Sequence, residues 1–211
     1  MKRVFIILVF IVSFVFGAFN ASISPINSDI KKRMIRGNSW HTGCPVPISD
    51  LRYIRVVYHD FSYKDRVGEL IVHKSIANEI VWIFEELYSI GYPIRQMRLI
   101  SDFGGSDWKS IEADNTSAFN CRRATGSKKW SKHAFGRAID INPLENPYIS
   151  KTGHISHRAS LKYKKRFHKD SSPSDRAVLL PRDEATLIFK SYGFKWGGDW
   201  RYIKDYQHFF K

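Results

Sequence analysis

The sequence predicts a compact α+β domain, a small antiparallel sheet flanked by helices, and three observations carry that expectation. Short runs of β-branched and aromatic residues recur, as at Tyr53 to Tyr58 and Glu69 to Val72, and such runs read as strands. Two other stretches, beginning near Ser75 and Arg182, repeat their apolar residues at the helical period instead. Strands interspersed with a few helices, with no internal repeat and no low-complexity tract, are the pattern of an α+β domain. The chain has 211 residues, enough for one domain with a proper core and too few for two large ones.

Taken in order, Lys2 and Arg3, the apolar run Val4 to Phe16 and small residues at Gly17, Ala18 and Ala21 read as an export signal over residues 1–21. The alternative is an uncleaved membrane anchor, for which the run is short of the roughly 20 apolar residues a span needs. Residues 22–49 are polar and turn-rich, with Pro25, Gly37, Gly43, Pro45 and Pro47. They read as a loosely structured lead-in to a domain over residues 50–211, which the Tyr53 and Glu69 strands open. In the helix that follows, Ile76, Ile80, Ile83, Phe84 and Leu87 recur at helical spacing, Ser75 is the expected cap, and Gly91 and Pro93 mark the end. Arg95 to Ser101 reads as a strand, and residues 104–130, rich in Gly, Ser, Asp and Asn, as loop. Ala138 to Asn142 reads as a strand whose alternation sets Asp140 opposite Ile139 and Ile141. Ser150 to Pro181 is basic and lacks sustained periodicity, so it is expected as a surface loop over the site. Arg182 to Tyr192 reads as a helix, Trp196 to Trp200 as a tight turn, and Gln207 to Phe210 as a last strand.

The formal charge of +14 suits an anionic partner. The basic residues are spread along the chain, densest from Lys162 to Lys169, and no nucleic-acid module is recognisable. That argues against nucleic acid and for a secreted or periplasmic protein, soluble after signal cleavage and able to associate with an anionic cell envelope. The two cysteines, Cys44 and Cys121, lie beyond the signal. In an oxidising compartment they form one disulfide or stay as two buried thiols. Zinc ligation by them is the weakest reading, since neither has a neighbour at ligand spacing.

The residues suited to chemistry gather in two segments. His133 and Asp140 stand seven residues apart with Gly136 between them, and His208 comes late in the chain. Two imidazoles and a carboxylate, with a fourth position left open, are what a catalytic zinc site needs, and Gly136 lets the backbone turn so that the first two converge. Asp205 would then sit beside the metal, either as general base or as an acceptor holding His208. His41, His59, His73, His154, His157 and His168 lack such partners and read as ordinary.

Ser131-x-His133-x-x-Gly136-x-Ala138-x-Asp140, the Trp196-Gly197-Gly198-Asp199-Trp200 turn and Asp205-x-x-His208-Phe209 together resemble the zinc D-alanyl-D-alanine carboxypeptidase family. That family includes vancomycin-resistance D,D-peptidases and phage L-alanyl-D-glutamate endopeptidases. Gly68 to Val72, Asn115 to Arg122 and Ile141 to Tyr148 are similar to one carboxypeptidase-like branch, so the resemblance runs over residues 50–211. It implies the hedgehog/DD-peptidase fold, one zinc ion held by His133, Asp140 and His208, and Asp205 as the base. It also implies an arginine upstream of the first histidine that meets the oxyanion, either Arg122 or its neighbour Arg123. Ser131, Arg123, Arg137 and Trp196 are the candidate substrate contacts. The departures are the basic Ser150 to Pro181 segment and Asp205, where some members carry glutamate. The implied substrate is a peptidoglycan stem peptide cut at its terminal D-Ala-D-Ala. Cleavage between L-Ala and D-Glu is the nearer variant, and a catalytically silent zinc-containing cell-wall binding module is the rival from another class.

Overall fold

The computed structural model describes residues 18–167 and 172–211; nearly all of the expected signal lies outside them, as does His168. The order is β1 (Ala21–Pro25), α1 (Ser28–Arg36), β2 (Leu51–His59), β3 (Asp65–His73), α2 (Ala77–Ser89), β4 (Gln96–Met97), α3 (Asp107–Glu112) and β5 (Asn115–Thr116). There follow β6 (Ala138–Asp140), β7 (Tyr148–Ile149), α4 (Pro173–Arg176), α5 (Glu184–Ser191), β8 (Lys195–Trp196), β9 (Lys204–Asp205) and β10 (His208–Phe210). Helices and small, mainly antiparallel sheets are mixed along the chain, as an α+β domain requires. No helix among the described residues is long and apolar enough to cross a membrane.

The larger sheet has the order β1-β2-β3. β2 and β3 pair from Leu51↔His73 to His59↔Asp65. Ile54, Val56, Leu70 and Val72 from these strands join Ile80, Ile83, Phe84 and Leu87 of α2 in one buried core. Each such side chain contributes about 1.5–3 kcal/mol by leaving water. Ser75 does not cap α2. A 3-10 turn over Lys74–Ile76 leads into the helix, and the Ser75 hydroxyl meets His73 Nδ1 and accepts from Arg137.

The smaller sheet has the order β6-β10-β8 and sets His208 directly across from Asp140. Ile139 and Phe209, the next pair, turn into the same core as α2, and the Phe209 ring stacks on Phe189 of α5 with centroids 4.0 Å apart. Period-two alternation thus sends the apolar residues one way and Asp140 and His208 the other.

Three expectations need correction. The lead-in is ordered: β1 pairs with β2, Asn27 caps α1 through its side-chain oxygen, and Met34 is fully buried. Arg33 of α1 donates two hydrogen bonds each to Glu69 and Asp102, and Tyr53 also reaches Glu69. These partners are distant in sequence, so a reading of local composition sees only turn formers. Residues 104–130 are not all loop, since Ser106 caps α3, a helix too short to display a period. Arg95 to Ser101 keeps only β4 as strand before a 3-10 turn over Ile100–Phe103.

The Ser150 to Pro181 segment, expected as a surface loop, is partly internal. It contains a 3-10 turn over Arg158–Lys164 and α4, and Ala177, Val178 and Leu179 are buried. Arg166 fastens it, donating to the carbonyls of Glu145, Tyr163 and Leu179 and to Asn146 Oδ1. Burial brings the Arg166 guanidinium down to about 10. Cys44 and Cys121 are joined by a disulfide that ties the lead-in to the middle of the chain.

Candidate metal centre

Ser131 opens the site. Its hydroxyl accepts from the His133 N–H and caps the 3-10 turn over Lys132–Phe135. The turn ends at Gly136 with φ +65, where a Cβ would lie 2.6 Å from the His73 nitrogen. Only glycine suits both that conformation and that contact. The Gly136 carbonyl accepts from the same His73 N–H at 2.8 Å. The motif is therefore pinned to the end of β3 before it enters β6.

His133 is buried, and its Nδ1 stands 2.5 Å from the Ala118 carbonyl. A carbonyl oxygen only accepts, so Nδ1 carries the proton and Nε2 presents a lone pair. That Nε2 lies 3.1 Å from His208 Nδ1 and 3.2 Å from Asp140 Oδ2. Asp140 Oδ1 is 2.9 Å from His208 Nδ1. One ligand atom from each residue lies within 4.8 Å of the others. A buried lone pair facing a second imidazole nitrogen and a carboxylate is a donor set that a cation satisfies. Its N, N, O composition suits zinc with one position left open, and the Ala118 carbonyl supplies the hydrogen bond that orients a ligating histidine. Burial pushes the Asp140 carboxyl up, but the two imidazoles outweigh it and hold it far below the usual carboxylate range. Burial pushes His133 down, and the neighbouring Asp140 reverses this to a net rise.

Asp205 lies on β9, paired with β7, and lines the same cavity as the three convergent residues. Burial and the charge of Asp140 raise its carboxyl to about 6, against the opposing pull of His208. Its Oδ1 accepts from Gln207 at 3.1 Å. The Trp196 to Trp200 turn packs beneath it: a Cβ at Gly197 would fall 2.5 Å from the Asp205 carbonyl oxygen.

The cavity has a volume of about 700 Å³. Arg122 lines it, its Nε paired with Asp107 and its Nη1 donating to the Arg123 carbonyl. The other expected substrate contacts lie elsewhere. Arg123 sits over the Trp130 ring, 3.6 Å from its centroid. Arg137 donates to the C-terminal Lys211 carbonyl and to Ser75, held there because β6 and β10 are neighbours. Trp196 is 1% exposed and gives its N–H to the Tyr206 carbonyl, so it is core; Trp200 is the member of that turn that reaches the cavity.

The structure adds residues that spacing could not reveal. Trp108, half exposed on α3, stacks on His157 at 4.0 Å, and both line the cavity. An exposed tryptophan in a polar segment was the available signal, but His157 enters from a segment with no legible period. His41 also approaches Cys121, at 3.6 Å, yet the disulfide engages both sulfurs beside it.

No curated protein and no solved structure matches the chain. Residues 125–211 match the family described as D-alanyl-D-alanine carboxypeptidase. That span holds His133, Asp140, Asp205 and His208, whereas Asp107 and Arg122 fall before it. Over residues 125–211 the chain therefore belongs to the D-alanyl-D-alanine carboxypeptidase family of zinc peptidases.

Proposed function

We propose that this protein is an exported zinc D,D-carboxypeptidase that removes the terminal D-Ala from peptidoglycan stem pentapeptides. The observation that carries the reading is the convergence of His133, Asp140 and His208, with Asp205 beside them on one cavity. His133 Nε2, His208 Nδ1 and an Asp140 oxygen would hold the metal. Zinc in such a site supplies Lewis acidity and lowers the pKa of water toward about 7. Asp205 takes the proton from the attacking water and returns it to the departing amine, a role its raised pKa suits. Arg122 donates to the oxygen that gains charge as the carbonyl becomes tetrahedral. Lys129 and Lys132 also line the cavity and supply cations for the substrate's terminal carboxylate, in place of Arg123 and Arg137. Stem peptides carry several carboxylates, which gives a chain of charge +14 a reason to work at an anionic envelope.

Digestion of a pentapeptide and of its C-terminal amide, read by mass spectrometry, tests this. D-Ala should leave the free acid quickly and the amide slowly. Products cut between L-Ala and D-Glu, with D-Ala-D-Ala intact, would replace the specificity with that of an endopeptidase. Complete absence of cleavage by zinc-loaded protein would leave a binding module.

A further inference from the structure

We infer that Asp107 is a positioning residue that sets the Arg122 guanidinium at the wall of the cavity, through an Asn120, Asp107 and Arg122 chain of contacts. This rests on the reading of Arg122 as the oxyanion donor.

Asp107 is the first residue of α3, fixed by the Ser106 cap. Its Oδ1 accepts from Asn120 Nδ2 at 2.8 Å, and its Oδ2 pairs with Arg122 Nε. Asn120 is itself buried; its side-chain amide donates also to the Gly105 carbonyl, and its backbone N–H donates to the His133 carbonyl at 3.3 Å. The next residue, Cys121, is held by the disulfide and by its N–H to the Ser39 carbonyl. The backbone before Arg122 is thus anchored to the first metal-ligand candidate, and the side chain is anchored by Asp107. With Nε and Nη1 engaged, Nη2 is the part of the fork left for a ligand in the cavity.

A donor stabilises a developing charge only if it is in place beforehand, and an arginine side chain otherwise carries about 2 kcal/mol of rotamer entropy. The Asp107 and Arg122 side chains are both more than a quarter exposed. Such a pair adds little to stability, so its effect should be found in catalysis rather than in the fold. A misplacement of a catalytic group by about 1 Å can cost on the order of 10²-fold.

The test measures kcat, KM and zinc content for Asp107→Asn, Asp107→Glu, Arg122→Ala and Asp107→Asn with Arg122→Ala. Asp107→Asn should lower kcat by about 10- to 100-fold, with KM, zinc content and melting temperature close to the parent. Asp107→Glu should recover part of that loss, and in the Arg122→Ala background Asp107→Asn should cost nothing more. An unchanged kcat in Asp107→Asn, or the same loss with Arg122 absent, would overturn the inference. Failure of the underlying reading is distinct, because Arg122→Ala alone would then keep full activity. The Arg122 Nε–H resonance decides the positioning whether or not substrate turns over. It should be ordered and slow to exchange in the parent and lose both properties in Asp107→Asn; an unchanged signal there would refute the role.

Discussion

The nine-residue strands β2 and β3 build a sheet whose inward residues are almost all apolar, whereas β6, β8 and β10 have two or three residues each. The short strands could not persist alone. They stand because Ile139, Phe209 and Trp196 belong to the core that the long sheet and α2 create. In return the short sheet sets Asp140 opposite His208 in register, which no loop would fix as firmly. Support and chemistry thus share one core but act through different faces. Substitutions on the chemical face should abolish function with little loss of fold, and substitutions on the apolar face should do the reverse.

The largest effect expected is for His208→Ala. Metal analysis should fall from about one zinc per chain to none, with peptidase activity lost, while the circular dichroism spectrum stays that of the parent. Full zinc retention would remove His208 from the site. Asp205→Asn should keep zinc and lower kcat by about 10²–10⁴-fold, since the amide cannot take the proton. Near-normal turnover would make Asp205 a structural acceptor instead.

Across the core the pattern should invert. Phe84, buried on α2, should cost about 3–5 kcal/mol on Phe84→Ala, read by urea unfolding, while the folded fraction still binds zinc. Loss of zinc from a folded Phe84→Ala protein would show that the two faces are not separable.

The same division explains what the sequence made legible. His133, Asp140 and His208 could be found because ligand chemistry restricts residue type and the short sheet needs its spacing. Strands β2 and β3 and helix α2 could be found because each is long enough to show a period. Asp107 could not, because α3 has six residues and the partner Arg122 is distant in sequence. Trp196 and Trp200 are four residues apart in one turn, and only the packing against Phe209 decides which is core. Arg137 looked like a substrate contact because its motif does bind metal ligands. Its side chain follows the edge of β6 to the C-terminus instead, a neighbour set by sheet order.

Arg33 tests whether the ordered N-terminal segment belongs to the supporting side. Arg33→Ala removes charged hydrogen bonds to Glu69 and Asp102 and should destabilise by about 1–3 kcal/mol, with kcat unchanged. A fall in kcat without a fall in stability would place α1 in the service of the site.

The smallest effect expected is a change in slope rather than a loss. Glu145 follows Asp140 by five residues and is buried with Asp114; Glu145 Oε2 and Asp114 Oδ2 each lack a hydrogen-bond partner. Burial, and then the Asp114 carboxylate, raise Glu145 to about 9, against a smaller opposing effect of Arg95, so the folded protein holds a proton there at neutral pH. A folded pKa above the unfolded value of about 4.3 means stability is fully present below that value. It is then lost as pH rises toward 9, by at most about 1.4 kcal/mol per unit for one proton. Glu145→Gln keeps a neutral donor of similar shape and has no proton to lose. Urea unfolding at pH 5, 7 and 9 should therefore show parent and variant close together at pH 5 and the variant increasingly favoured above it. If Glu145 were instead ionised in the fold through a cationic partner, the variant would be the weaker protein at every pH, and the gap would not widen in its favour.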